Sequence, residues 1–469
     1  MKKNTLRLAT FVGILFLLAS CGDTSGETSY TGTNIAQHLI TITPGGGPTP
    51  TPTPTPILPR YDDLAENLPP TQIEFWYVWD AYGTDPYQEI AIQFNASNDY
   101  DIEVVAVNQG SYGDLENAVR EAITQDELPH IAMAYDYQYL GWDQLDQVAV
   151  DLTPYFTDLT FGLEGETLDD IYPVFLEHDL YEERRYGLPA QRSGQVLFYN
   201  TTWAGELGYD SPPSTPAEFK GQACAANLFN DNVTGGWFIN TSPAAMVSWI
   251  YAFGGDLSSA AGYKFTAEET VAAFEFLYDL QFRGCAWQPG TLYPNEEFAD
   301  RRGLFYSSSI AGIPYQLQAF ENEEGTDTWV PIPYPGVDGN PVITVYGPSF
   351  VMLRSTPEEQ FASWVFLRYL LEPSSQALIV EGTGGFPIRK SAVALLEDTD
   401  ITTSQWLAAL DLLEYGHSEP RLASWRTVRS ALQDAGEMLF VAFNPPEISD
   451  LLDQLQATAD ELHAESGGN

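Results

Sequence analysis

From residue 71 onward the chain alternates short runs of branched and aromatic side chains with helical periodicity, and this alternation restricts the fold more than any other feature. Residues 73–78 form an apolar run of strand composition. Asp85-Pro86 then supplies a helix N-cap with proline at the first helical position, followed by Ile90, Ala91 and Phe94. Residues 102–107 read as a second strand, and Leu115, Ala118, Val119, Ala122 and Ile123 share one face of a second helix. A third strand, Ile131-Ala132-Met133-Ala134, follows Pro129. Strands separated by helices imply an α/β architecture, a parallel sheet covered by helices. Capping sequences announce later helices at Thr215-Pro216-Ala217-Glu218, at Thr266-Ala267-Glu268-Glu269 with Gly284 as its stop, and at Thr356-Pro357-Glu358-Glu359. The body, residues 71–469, exceeds what one hydrophobic core normally serves, so two lobes are expected.

The residues before this body read as an address and a tether. Lys2, Lys3 and Arg7 precede an apolar run over 11–18, too short for a spanning helix, which needs roughly 20 apolar residues. Residues 1–20 therefore read as an export signal. Leu18-Ala19-Ser20-Cys21 resembles the bacterial lipobox, which implies that Cys21 becomes an acylated N-terminus; an ordinary signal peptide with a chance cysteine is the alternative. Residues 21–70 include the Pro/Thr alternation over 48–56, which predicts an extended, lipid-anchored spacer. A formal net charge of −45 disfavours nucleic acid and phosphorylated compounds and suits a neutral or cationic ligand, besides serving solubility. With Cys21 assigned to the anchor, Cys224 and Cys285 remain as an even pair in an oxidising compartment. A disulfide is expected, with two buried thiols as the alternative.

An ordered set of short motifs carries a family resemblance. Phe75-Trp76, Phe94-Asn95 and Pro129 come first. Tyr186-Gly187-Leu188-Pro189, Leu197-Phe198-Tyr199-Asn200 and Leu207-Gly208 before Pro212-Pro213-Ser214-Thr215 follow. Residues 276–284 and Thr383-Gly384-Gly385-Phe386-Pro387-Ile388-Arg389 complete the order. The set, over residues 71 to about 445, resembles the extracellular solute-binding proteins of family 1, the maltose-binding type. The resemblance implies a two-lobe periplasmic-binding-protein type II fold with an interlobe hinge and a ligand cleft. It implies three crossings between lobes, near residues 186–191, 304–308 and 347–353. Residues 71–189 and 306–350 then form the first lobe, and 190–305 and 351–469 the second. It further implies a monomer, lipid-anchored on the outer face of the bacterial cytoplasmic membrane, that captures a sugar or oligosaccharide and delivers it to an ABC transporter permease. No cofactor, metal or nucleic-acid partner is expected.

Sugar recognition needs aromatic faces for C–H groups and carboxylate, amide or guanidinium groups for hydroxyls. Such residues stand at predicted strand ends and crossings: Trp79, Asp80 and Tyr82, then Tyr135 and Asp136, then Gln191 and Arg192, Trp237 and Ser308. Trp425 resembles the family's late cleft tryptophan. For each ring the alternative is a place in the core. A secreted glycoside hydrolase and a non-transport surface receptor are the competing readings, the first because 65 acidic residues make carboxylate pairs easy to assemble. Against catalysis, the histidines His38, His130, His178, His417 and His463 are dispersed, and neither a Gly-x-Ser-x-Gly elbow nor a phosphate-cradling Gly-Lys-Ser loop occurs. The chain is therefore expected not to be an enzyme.

Overall fold

The computed structural model describes residues 61–467 apart from 80–83, 164, 182, 260, 324, 398 and 441–445. The export signal, Cys21 and most of the tether lie outside the described residues, as do Asp80 and Tyr82. Tyr61–Asn67, expected as spacer, is a helix. It docks because Tyr61 stacks on Tyr155 at 4.7 Å and on Phe361 at 6.3 Å between ring centroids.

Among the described residues, twelve strands build two large sheets. In chain order they are β1 (Thr71–Tyr77), β2 (Ile102–Asn108), β3 (Ile131–Ala134), β4 (Leu188–Pro189), β5 (Ser193–Asn200), β6 (Trp237–Phe238), β7 (Ala286–Trp287), β8 (Phe305–Ser309), β9 (Trp329–Ile332), β10 (Ile343–Tyr346), β11 (Ser349–Met352) and β12 (Gly416–Ser418). The first sheet runs β2-β1-β3-β11-β4. Its first three strands are parallel, with Thr71 opposite Ile102 and Phe75 opposite Ile131, as the strand–helix alternation requires. β11 returns antiparallel between β3 and β4. The Asp85 carboxylate caps helix Pro86–Ser97, accepting from the Tyr87 and Gln88 N–H groups at 3.0 and 3.2 Å. Helix Pro357–Leu370 opens with the expected Thr356/Glu359 capping box and buries Phe361, Trp364 and Leu367. The Thr266 box does not form: helix Glu268–Phe282 starts after Ala267, without a side-chain cap. Gly284, at φ +76°, ends that helix as anticipated.

The second sheet runs β7-β6-β8-β5-β10-β12, with β9 also on β5. β5 is its organiser: β8 pairs antiparallel along one edge, while β9 and β10 share the other. One hydrophobic cluster fills the first lobe and continues onto one face of this sheet. A second cluster, containing Trp237, Trp249, Phe305 and Trp425, covers its other face. Cys224 and Cys285 are bridged there, with Cα atoms 4.4 Å apart.

The chain passes between sheets from β4 to β5 through residues 190–192 and from β10 to β11 through 347–348, close to two of the expected crossings. These two strands touch: Ala190 N–H donates to the Pro348 carbonyl at 3.1 Å, and a Cβ on Gly347 would stand 2.3 Å from the Gln191 carbonyl oxygen. Residues 304–308 are not a crossing. β8 stays within the second sheet, where Phe305 packs on Tyr199 and Phe219, at 5.1 and 4.3 Å between ring centroids. The assignment of 306–350 to the first lobe is thereby corrected: β8, β9 and β10 belong to the second sheet. The assignment of 351–469 to the second lobe is corrected in part. β11 lies in the first sheet, helix Pro357–Leu370 packs on β1, and helix Pro373–Thr383 packs on helix Pro86–Ser97. The remaining crossing falls between helix Pro373–Thr383 and helix Ser404–Asp411, which packs on β9.

Candidate functional site

The carboxyl end of β3 delivers Tyr135 and Asp136 to the junction of the lobes. Tyr135 is the N-cap of helix Asp136–Asp146, and the Asp136 Oδ1 accepts the Tyr137 N–H at 2.8 Å. The rings of Tyr135 and Tyr137 lie 5.4 Å apart and nearly parallel, and Tyr112 meets Tyr135 edge-on at 4.8 Å. Open α/β sheets characteristically present such residues at strand carboxyl ends, where ligands bind.

The second lobe answers with Glu419 after β12 and Arg429 on helix Trp425–Leu439. Glu419 is buried; its Oε2 accepts the Trp425 indole N–H at 2.8 Å, and its Oε1 lies 3.4 Å from Arg429 Nη2. Burial opposes the Arg429 charge, yet Glu419 and the neighbouring tyrosine oxygens hold its pKa above the ordinary value. Tyr137 packs against the second-lobe cluster. Arg426 reaches Glu116 across the junction at 3.8 Å, and Arg421 donates to the Glu177 and Leu180 carbonyls, both at 2.6 Å. The lobes therefore meet through polar contacts around the tyrosines.

Beneath them lies a buried polar network at the crossings. Arg192 Nη2 pairs with Asp179 Oδ2 at 2.9 Å and donates to Ser349 Oγ at 2.9 Å. Ser349 Oγ donates to Asp179 Oδ1 at 2.5 Å, Tyr139 Oη donates to the same oxygen at 3.3 Å, and Arg192 Nη1 binds the Gln191 and Pro348 carbonyls. His178 Nε2 stands 3.8 Å from Asp136 Oδ2. Burial pushes Asp136 up to about 7. Burial, then the Arg192 charge, pushes His178 down to about 3, so His178 is neutral.

The other anticipated site residues separate into two groups. Gln191 accepts from Tyr87 Oη at 3.2 Å, beside the hinge, and Trp79 is half-buried at the end of β1 against Gly382. Ser308 is half-exposed on β8, while its neighbour Ser309 meets Ser193 Oγ at 2.6 Å. Arg192 is 1% exposed, and its terminal nitrogens are taken up by the hinge network. Trp237 and Trp425 are both 0% exposed. Trp237 packs edge-on against Trp249 at 5.8 Å and donates to Ser307 Oγ at 2.9 Å, whereas Trp425 stacks near Tyr263 at 6.0 Å. In this arrangement neither ring presents a free face, because each completes the second-lobe core. Glu419 and Arg429 are not singled out by the sequence. Each is an ordinary polar residue whose place depends on sheet pairing. Among the described residues no group of three or more His, Cys, Asp or Glu side chains is placed to hold a metal ion. Among them, too, no helix is long and apolar enough to cross a membrane.

A family model, the bacterial extracellular solute-binding proteins, matches residues 89–409. Solved structures share the fold at low identity. The chain is similar to the sugar-binding protein MalE of Xanthomonas citri, with a TM-score of 0.72 and 20% identity, covering 84% of this chain and 98% of that one. It is similar to the cyclic α-maltosyl-1,6-maltose binding protein of Arthrobacter globiformis, with a TM-score of 0.70 and 20% identity over 85% and 100% of the two chains. UgpB of Mycobacterium tuberculosis, in complex with glycerophosphocholine, matches with a TM-score of 0.64 and 18% identity over 84% and 98%.

Proposed function

This chain belongs to the bacterial extracellular solute-binding protein family, and we propose that it captures a sugar or oligosaccharide between its lobes and delivers it to an ABC transporter permease. The observation that carries the reading is the packing of helix Asp136–Asp146, with Tyr137 against the second-lobe core, on helix Trp425–Leu439, whose Trp425 and Arg429 hold Glu419. Tyrosine rings offer faces for sugar C–H groups, and the carboxylates and guanidinium offer partners for hydroxyls. A ligand touching both sets favours the closed arrangement over the open one, which is how hinge proteins report occupancy. Two of the similar proteins are named for sugar binding and a third was solved with glycerophosphocholine, so the fold accommodates polar molecules of more than one kind. Trp79, Asp80 and Tyr82 after β1, with Gln191 and Ser308, extend the ligand-binding set in this proposal. Acylated Cys21 holds the body on the outer face of the membrane.

A thermal-shift screen over mono- and oligosaccharides tests the reading. A ligand at 100 times its dissociation constant adds about 2.7 kcal/mol of stability. At least one sugar is expected to raise the melting temperature reversibly and without turnover. A panel in which none does so, or in which the stabilising sugar is hydrolysed, sinks it.

A further inference from the structure

Four polar side-chain atoms at the interlobe junction are buried without a hydrogen-bond partner among the described residues: Asp136 Oδ2, both ring nitrogens of His178, and Arg192 Nε. They belong to one cluster, since His178 Nε2 lies 3.8 Å from Asp136 Oδ2 and Arg192 pairs at 2.9 Å with Asp179, the residue next to His178. Buried polar groups are ordinarily paired, so a cluster of unpaired ones where the two lobes meet calls for a partner from outside these side chains. The donors and acceptors are mixed: a carboxyl oxygen, one N–H from Arg192, and one donor and one acceptor from neutral His178. A cation there meets Arg192 and an anion meets Asp179 and Glu419, so the complement is neutral and carries hydroxyls.

We propose that Asp136, His178 and Arg192 form a subsite for a hydroxyl-bearing edge of a neutral ligand, and that filling it releases a proton from the Asp136 carboxyl to solvent. This rests on the capture reading above. Charged and titratable groups from both lobes bear on the step: Tyr137 and Tyr139 on the same helix, His178 and Asp179 before β4, Arg192 at the crossing, and Tyr263 and Glu419 from the second lobe. Burial holds the carboxyl protonated up to about pH 7 when the subsite is unfilled. A ligand hydroxyl donating to Oδ2 favours the ionised form, so the O–H bond of the acid breaks and binding strengthens as pH rises. His178, held neutral, does not titrate in this range.

The first arm of the test needs no ligand. In protein carrying carboxyl-13C aspartate, one resonance is expected to titrate near neutrality and to vanish in Asp136→Asn; aspartates that all titrate below pH 5 overturn the proposal. The second arm titrates maltotriose calorimetrically at pH 6 and pH 8, in buffers of unlike ionisation enthalpy. Binding is expected to be about tenfold tighter at pH 8, with proton release, and to lose its pH dependence in Asp136→Asn. Tight binding of maltotriose that ignores pH overturns the coupling and leaves capture standing. Absence of maltotriose binding at both values overturns the subsite for that sugar whatever the carboxyl titration shows, and capture itself is then judged by the wider sugar panel.

Discussion

Replacing Asp179 by alanine probes the joint between the two crossings. Asp179 and Arg192 side chains are both 0% exposed and pair at 2.9 Å. The carboxylate also accepts from Ser349 and Tyr139, while Arg192 ties residue 192 of one crossing to Pro348 of the other. Removing the acid leaves a guanidinium buried with its charge uncompensated and two hydroxyls short of an acceptor. Breaking a buried pair in this way costs about 3–5 kcal/mol. Replacing both partners by apolar residues, Asp179→Leu with Arg192→Met, removes the uncompensated charge as well. That double variant should be more stable than Asp179→Ala, because charge desolvation outweighs the loss of three Arg192 hydrogen bonds, to the Gln191 and Pro348 carbonyls and to Ser349 Oγ, each worth about 1 kcal/mol. Urea unfolding followed by tryptophan fluorescence measures both. An Asp179→Ala loss under about 1 kcal/mol, or a double variant as unstable as the sum of its single changes, refutes the view of this pair as the clamp between crossings.

Asp136 gives stability a pH dependence of defined sign. Its folded pKa of about 7 lies above the ordinary aspartate value of 3.8, so its protonated form stabilises the fold at acid pH and that contribution is lost as pH rises through about 7. Stability relative to Asp136→Asn should therefore fall between pH 4 and pH 8, by about 4 kcal/mol at most, and a flat difference in urea midpoints contradicts it. The bridge between Cys224 and Cys285 closes 61 residues, so Cys224→Ser with Cys285→Ser should lower stability by about 4 kcal/mol, and non-reducing mass spectrometry should find the linked peptides in the native protein. Trp425→Ala should cost about 3–5 kcal/mol of fold stability by removing a core ring and a partner of Glu419; a variant that melts normally places the ring outside the core. Cys21→Ser should move the protein from the membrane to the soluble fraction without unfolding it, as fractionation and circular dichroism would record.

Local chemistry made the first lobe readable. Asp85 with Pro86, and Thr356 with Glu359, set helix starts within a few residues of chain, so their signals do not depend on the rest of the fold. Thr266 failed by the same locality: its spacing to Glu269 is right, but the helix begins at Glu268 and leaves Thr266 outside the cap. Sheet membership is a different kind of information. Residues 305–309 would make an acceptable strand in either lobe, and what decides is that β5 offers them an edge and Phe305 a place against Tyr199 and Phe219. Pairings over a hundred residues of separation leave no mark in a local sequence window.

The same distinction explains the tryptophans and the cleft. A large ring near a family-like motif is compatible with stacking on a ligand and with filling a core, and for Trp425 the family resemblance tips the sequence reading toward the ligand. Trp425 sits at the start of a strongly amphipathic helix whose apolar face, Val428, Leu432, Ala435 and Leu439, turns inward, and the ring follows that face. Its indole N–H then needs a partner, which Glu419 supplies, six residues earlier in the chain. The carboxylate so fixed is the one that meets Arg429 and acts on Asp136 across the junction. Trp425 thus contributes to the cleft through the acid it orients, so a change that keeps its bulk but removes its N–H should disturb Glu419 before it disturbs the fold.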